Sequence, residues 1–362
     1  MVRCVWSAKP NRRPASRIWL AGVAMAVAFF CATAGWAAKT LTIAGSTLAV
    51  TPSTCGQPGP GNLNCATNYG NVNGLGVGTS TPSLSNNQPT SAIYYAPFTI
   101  TAGGFGGGGV TVTAQVTSNF THTSLFDAQY CIGATCTNFS ALPVAPATAA
   151  SLGNITNGNS VTLTLAIEVK NVNGTAFTGN DSVAITITGN SGAPSETLTA
   201  SLNDQNAVQL VLSTNTGLSG ATIGGTTSPF TLNLGNVNGL GVGSPSVAGV
   251  TMTKSSAGTP SHVVSANYST PYSVTASFCH FTTTTATVSM AVTTPFSRNN
   301  LTIQDSSNGT SFSALPASFT SGTTGTATTR YVGVKVTHAN GAGNTSGSGL
   351  TATITYTVTA GP

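Results

Sequence analysis

The string NVNGLGVG occupies Asn71–Gly78, and the same eight residues return at Asn236–Gly243. A string this particular recurs when the unit around it recurs, and further anchors follow in the same order. Tyr94-Tyr95-Ala96-Pro97-Phe98 parallels Tyr268-Ser269-Thr270-Pro271-Tyr272. FSALP at Phe139–Pro143 returns at Phe312–Pro316, and Val172-Asn173-Gly174 answers Ala339-Asn340-Gly341. KTLTIAGS from Lys39 is matched to ETLTASLN from Glu196. The chain therefore reads as a tandem duplication.

Between the anchors run segments of period two: FTITA from Phe98, VTVTAQV from Val110, VTLTLAIEV from Val161 and VAITITG from Val183. The second half repeats the pattern in YSVTASF from Tyr272, ATVSMAV from Ala286, YVGVKVT from Tyr331 and LTATITYTVTA from Leu350. Apolar residues on one face and threonines on the other describe half-buried antiparallel strands. The expected fold is all-β: two tandem duplicated antiparallel β-sandwich (Ig-like) domains after an N-terminal signal peptide. The leader covers residues 1–37, the first repeat 38–190 and the second 191–362, with the turn-rich NSGAP at Asn190–Pro194 as the join.

The leader is read from Arg3, Lys9, Arg12, Arg13 and Arg17, an apolar core at Ile18–Phe30 and the small-x-small site Gly35-Trp36-Ala37. Its removal takes five of the eleven basic residues and leaves six against six acids, hence no net charge. No basic patch survives for nucleic acid, and the mature chain carries no apolar stretch expected to span a membrane. Trp6, Trp19 and Trp36 also lie in the leader, which lowers the case for a tryptophan-platform sugar site. The expected compartment is extracellular or cell-surface, the periplasm being the other destination such a leader permits.

In that compartment the close pairs Cys55/Cys65 and Cys131/Cys136 form candidate local disulfides, leaving Cys279 over. Their spacing gives no zinc pattern, so no metal is expected. Asn73-Gly74 and Asn238-Gly239 are the dipeptide favoured in tight hairpin turns, and they are read as the repeat turn motifs. A phosphate cradle at GLGVG needs a following helix, and threonine- and serine-rich sequence follows instead. GGFGGGG at Gly103–Gly109 reads as a hairpin loop, opposite SFCHFTT in the second copy.

Catalysis finds little to work with. The histidines are His122, His262, His280 and His338, and the six acids form no recognisable pair. His122 lies five residues before Asp127, the spacing of a base and its orienter, but no nucleophile stands beside them. Asp181 and Asp204 read as turn residues that bond nearby amides. No catalytic residue, cofactor or metal is expected, and the protein is read as not an enzyme.

LNLGNVNGLGVG at Leu232–Gly243, followed by ANYSTPYSVTAS at Ala266–Ser277, resembles the exported bacterial β-sandwich proteins of the spore-coat-U and fimbrial-subunit type. Those proteins open with a strand ending in a similar apolar-x-apolar-Gly turn. The arrangement of cysteines departs from their usual pairing, and no functional residues carry over. The resemblance implies a structural role at a surface or appendage. The uncharged final strand, with Leu350, Ile354, Tyr356 and Val358, is the expected assembly strand, pairing with another subunit or a cell-surface partner. The expected function is a secreted or cell-surface structural protein that self-assembles through edge-strand pairing. The alternative is an adhesive or ligand-binding β-sandwich module with a glycan or protein ligand.

Overall fold

The computed structural model describes residues 39–360 apart from 54, 56–63, 79–81, 89, 106, 175, 191–194, 257–262 and 339–348. The expected leader, most of NSGAP and the Ala339-Asn340-Gly341 anchor lie outside the described residues. The first half contains β1 (Thr40–Gly45), β2 (Asn64–Val72), β3 (Ser83–Gln88), β4 (Ser91–Gly103), β5 (Val110–Ser118), β6 (Phe126–Ile132), β7 (Ser140–Ala141), β8 (Ala150–Ile155), β9 (Ser160–Lys170), β10 (Gly179–Gly189) and β11 (Ser195–Asp204). The second contains β12 (Ala207–Thr214), β13 (Ile223–Gly224), β14 (Thr231–Leu232), β15 (Thr251–Ser256), β16 (Val263–Cys279), β17 (Ala286–Thr294), β18 (Leu301–Ser306), β19 (Ser313–Ala314), β20 (Ala317–Thr320), β21 (Ala327–Thr337) and β22 (Thr353–Ala360). Among the described residues there is no helix, so GLGVG has no helix N-terminus behind it.

One sheet of the first half runs β1-β4-β9-β6-β7, with β3 also on β4; the facing sheet runs β2-β11-β10-β5-β8. Period-two sequence explains how they pack. In β11 every second residue is buried, Leu198, Ala200 and Leu202 among them, while Thr197, Thr199 and Ser201 keep partial access to solvent. These meet Val112, Val116 and Ile185 of the same sheet and Phe98, Leu165 and Ile167 of the other in one core. On the outer face hydroxyls ladder across strands, as at Thr117 and Thr186, 2.9 Å apart. The ladders are antiparallel, as expected, except that β2 runs parallel to β11.

The second half repeats this pairing order. Its larger sheet runs β12-β16-β21-β18-β19 with β15 on β16, strand for strand the order of the first. Its other sheet, β20-β17-β22, matches β8-β5-β10 and, among the described residues, stops there.

Two expectations change. The join expected between residues 190 and 191 falls inside the β10–β11 hairpin, whose register runs from Thr188↔Ser195 to Gly179↔Asp204. Pairing thus assigns Ser195–Asp204 to the first half, and the chain crosses over at Gln205–Asn206. The match of KTLTIAGS to ETLTASLN fails for the same reason: β12 takes the place on β16 that β1 takes on β4. Alternating threonine and apolar residues fit any half-buried strand, so this likeness reports environment and not position.

Candidate functional site

The repeated string forms the same loop twice. In the first, the Asn73 side-chain oxygen accepts the amides of Leu75 (3.1 Å) and Val77 (3.2 Å), and its Nδ2 donates to the Val77 carbonyl (2.7 Å). The Tyr94 hydroxyl closes it by accepting the Asn73 amide and donating to its carbonyl, both at 3.0 Å. Asn238 and Tyr268 reproduce these bonds with Val242. The asparagine side chain, rather than a tight strand hairpin, sets the turn. Positive φ falls on Gly76 and Gly78, and on Gly241 and Gly243. Gly74 is required for space, since a Cβ there would stand 2.9 Å from the Lys170 carbonyl oxygen.

The first loop is also the contact between the halves. Leu75 is buried in a cluster with Ala207 and Cys279 of the second half, and Val77 packs against it. Burial pushes the Cys279 thiol up to about 11, although the amides of Gly74, Ala207 and Leu75 pull it down. Beside this plug the backbones interlock. Asn173 donates from Nδ2 to the Phe278 carbonyl (2.8 Å), the Gly174 amide to Phe281 (2.8 Å) and the His280 amide to Val172 (3.1 Å).

At the centre lies a pair that sequence spacing does not reveal. His280, at a left-handed φ of 61°, places Nδ1 at 2.5 Å from Asp204 Oδ2, and neither side chain has any exposure. Its Nε2 lies 2.8 Å from the Lys170 carbonyl oxygen. A carbonyl only accepts, so Nε2 carries a hydrogen, and the contact between Nδ1 and Asp204 must then hold one proton, on one side or the other. Burial raises the Asp204 pKa, outweighing the hydrogen bond and charge of His280. On His280 burial acts downward, but the hydrogen bond and charge of Asp204 and the Lys170 carbonyl prevail and raise it. Both directions keep the shared proton. With both ring nitrogens engaged and no access to solvent, His280 serves as a clasp and offers no base to a substrate.

Three further charged pairs are engaged within the fold. His122 pairs with Asp181 at 2.9 Å, not with Asp127, which binds Lys170 at 2.5 Å. Asp181 also accepts the amides of Thr121, His122 and Ser182; these bonds hold its carboxyl below the usual range although burial acts upward. Asp181 thus accepts backbone amides as expected, but it sits within β10 and Asp204 ends β11, so they are strand rather than turn residues. Arg330 makes a forked contact with Asp305 beneath the Phe319 ring. Cys55–Cys65 and Cys131–Cys136 are disulfides with Cα separations of 5.8 and 6.2 Å, and Cys279 is free and buried. Glu196 lies beside Cys55 and Cys65 with their ligand atoms within 4.8 Å, but disulfide sulfurs are not thiolates.

The last feature is an open edge. In the first half β11 lies between β10 and β2. The second half has no counterpart of β11 among the described residues: β22 pairs only with β17, and the stretch matching β2 makes just the short β13–β14 pair. The inner residues of β10 are fully buried, whereas those of β22 are only half-buried. Ile354, Tyr356 and Val358 therefore point into their own core, and Leu350 precedes the strand. Among the described residues, what β22 presents outward is an unpaired backbone edge.

No protein-family model matches the chain. No curated protein matches it either. Similar solved structures include the N-terminal domain of PorA (8% identical, covering 46% of this chain and 97% of that one, TM-score 0.26). Another is a chaperone–tip adhesin complex of CFA/I fimbriae biogenesis (10% identical, 89% and 84% covered, TM-score 0.22). A third is the secreted serine protease VesC from Vibrio cholerae (10% identical, 76% and 45% covered, TM-score 0.18). These scores lie below the level at which two chains share a fold, so the functional reading rests on this chain's own geometry. No helix among the described residues is long and apolar enough to cross a membrane.

Proposed function

We propose that the protein is a non-catalytic structural subunit of an extracellular or cell surface, which assembles by taking a strand from another copy at the β22 edge. The observation that carries this reading is the comparison of the two halves. The first is completed by β11, and the second ends at β22 with its inner row half-exposed. A strand with alternating apolar residues, as Leu198, Ala200 and Leu202 alternate in β11, satisfies both the free backbone groups and the open core. Low charge and two local disulfides suit such a building block outside the cell.

A peptide of residues 195–204 supplied in trans tests it. Saturable binding of this peptide, raised thermal stability of the protein and no binding of a scrambled peptide are expected. Equal response to both peptides, or to neither, contradicts the reading.

A further inference from the structure

The two NVNGLGVG loops have the same sequence, the same bonds of the asparagine to its tyrosine and to the following valine, and the same positive-φ glycines, yet opposite surroundings. Leu75 is 3% exposed, and Leu240 at the matching position is 48% exposed; Val77 is half-buried, and Val242 is 66% exposed. The difference lies in what each loop meets. The first is seated on the corner of the next half, between Ala207 at the start of β12 and Cys279 at the end of β16. Among the described residues, no such corner is seated on the second loop. An apolar pair held rigidly outward by Asn238 and Tyr268 is an interface lacking its partner.

The chain itself shows what partner fits: the corresponding corner of another half. We infer that Leu240 and Val242 dock on the first half of a second copy, continuing head to tail the arrangement that joins the two halves within one chain. Strand register identifies the receiving corner. Tyr94 corresponds to Tyr268, each holding a loop asparagine, and equal steps along β4 and β16 lead to Phe105 and Cys279. Val208 pairs with Phe278, and β1 is set one step from Thr40↔Gly103, so Lys39 corresponds to Val208. At that corner Lys39 Nζ lies 5.6 Å from the centroid of the buried Phe105 ring, so the exposed aliphatic stem of Lys39, laid over that ring, supplies the apolar surface, and glycines at 107 and 108 leave the backbone bare. The contact joins different surfaces of the two copies, so it does not close on itself in a dimer and extends into a line.

This inference rests on the self-assembly reading but uses a different surface, so the two are separable. With Val242→Cys and Lys39→Cys in one chain, mild oxidation should give a ladder of disulfide-linked multimers, while each single variant stops at dimers. A single Val242→Cys that dimerises as fast as the double variant, with no ladder, would mean that like loops meet and would overturn the head-to-tail contact. Leu240→Ser with Val242→Ser alters only exposed side chains and, in a Thr355→Lys, Thr357→Lys background that blocks the β22 edge, should abolish the growth of mass with concentration. Growth retained in that combined variant overturns the inference, as does a Thr355→Lys, Thr357→Lys protein that already stays at one chain. Growth kept with the lysines alone but lost on adding the serines supports this contact.

Discussion

Replacing His280 by alanine removes the partner of a carboxyl with no exposure and strips a hydrogen bond from the Lys170 carbonyl. Breaking a buried pair from one side costs about 3–5 kcal/mol, because the remaining group keeps its desolvation penalty without its compensation. Against a total stability of about 5–15 kcal/mol this is large. With a urea slope of about 2 kcal/mol per molar, the midpoint should fall by about 1.5–2.5 M, followed by circular dichroism. His280→Gly should lose about 1 kcal/mol less than His280→Ala, since glycine relieves the left-handed φ of 61°. Asp204→Ala with His280→Ala should lose less than the two single variants summed. The pH dependence has a definite sign. Both pKa values are raised on folding, so the contribution is present below the ordinary values of 3.8 and 6.5 and fades as pH rises through the folded values. The penalty of His280→Ala should therefore shrink as pH climbs above about 6.5. A midpoint shift below about 0.5 M at pH 6, or a penalty that grows with alkalinity, would refute the clasp.

Other outcomes follow from neighbouring residues. Leu75→Ala should cost about 2–3 kcal/mol in chemical unfolding, while Leu240→Ala in the identical string should stay within about 0.5 kcal/mol at dilutions that hold the protein monomeric; equal losses would contradict the burial contrast. The Asp181 carboxyl, lowered on folding, contributes stability above the ordinary value of 3.8 that is lost as pH falls through its folded value, so Asp181→Asn should flatten the acid limb of the unfolding profile. Cys279, buried and pushed up to about 11, should resist iodoacetamide at neutral pH and react only after denaturant is added.

The strands were legible because period two is written into them: VTLTLAIEV and VAITITG lie within β9 and β10. Both disulfide pairs were legible from spacing, since each closes a short loop. Position within the sheets was less so. ETLTASLN has the alternation of any half-buried strand, and its place beside β10 depends on a hairpin and a parallel partner that no local pattern encodes. The His280–Asp204 pair was invisible because its members are 76 residues apart and meet only where the two halves touch. His122 was matched to the nearest acid in sequence, while the fold supplies Asp181 from a different strand. One signal was available: SFCHFTT replaces GGFGGGG at the same point of the repeat, and it is there, at Phe278, Cys279, His280 and Phe281, that the second half grips the first.

The central claim, a subunit left open to another copy at β22, is tested most directly by light scattering after size separation over a wide range of concentration. In a Leu240→Ser, Val242→Ser background, which removes the loop contact, mass should still rise with concentration, and it should stay at one chain once Thr355→Lys and Thr357→Lys are added, whose charges flank the free edge. A serine-background protein that remains a single chain at the highest concentration, or a lysine-bearing one that assembles as fully as that background, would contradict it.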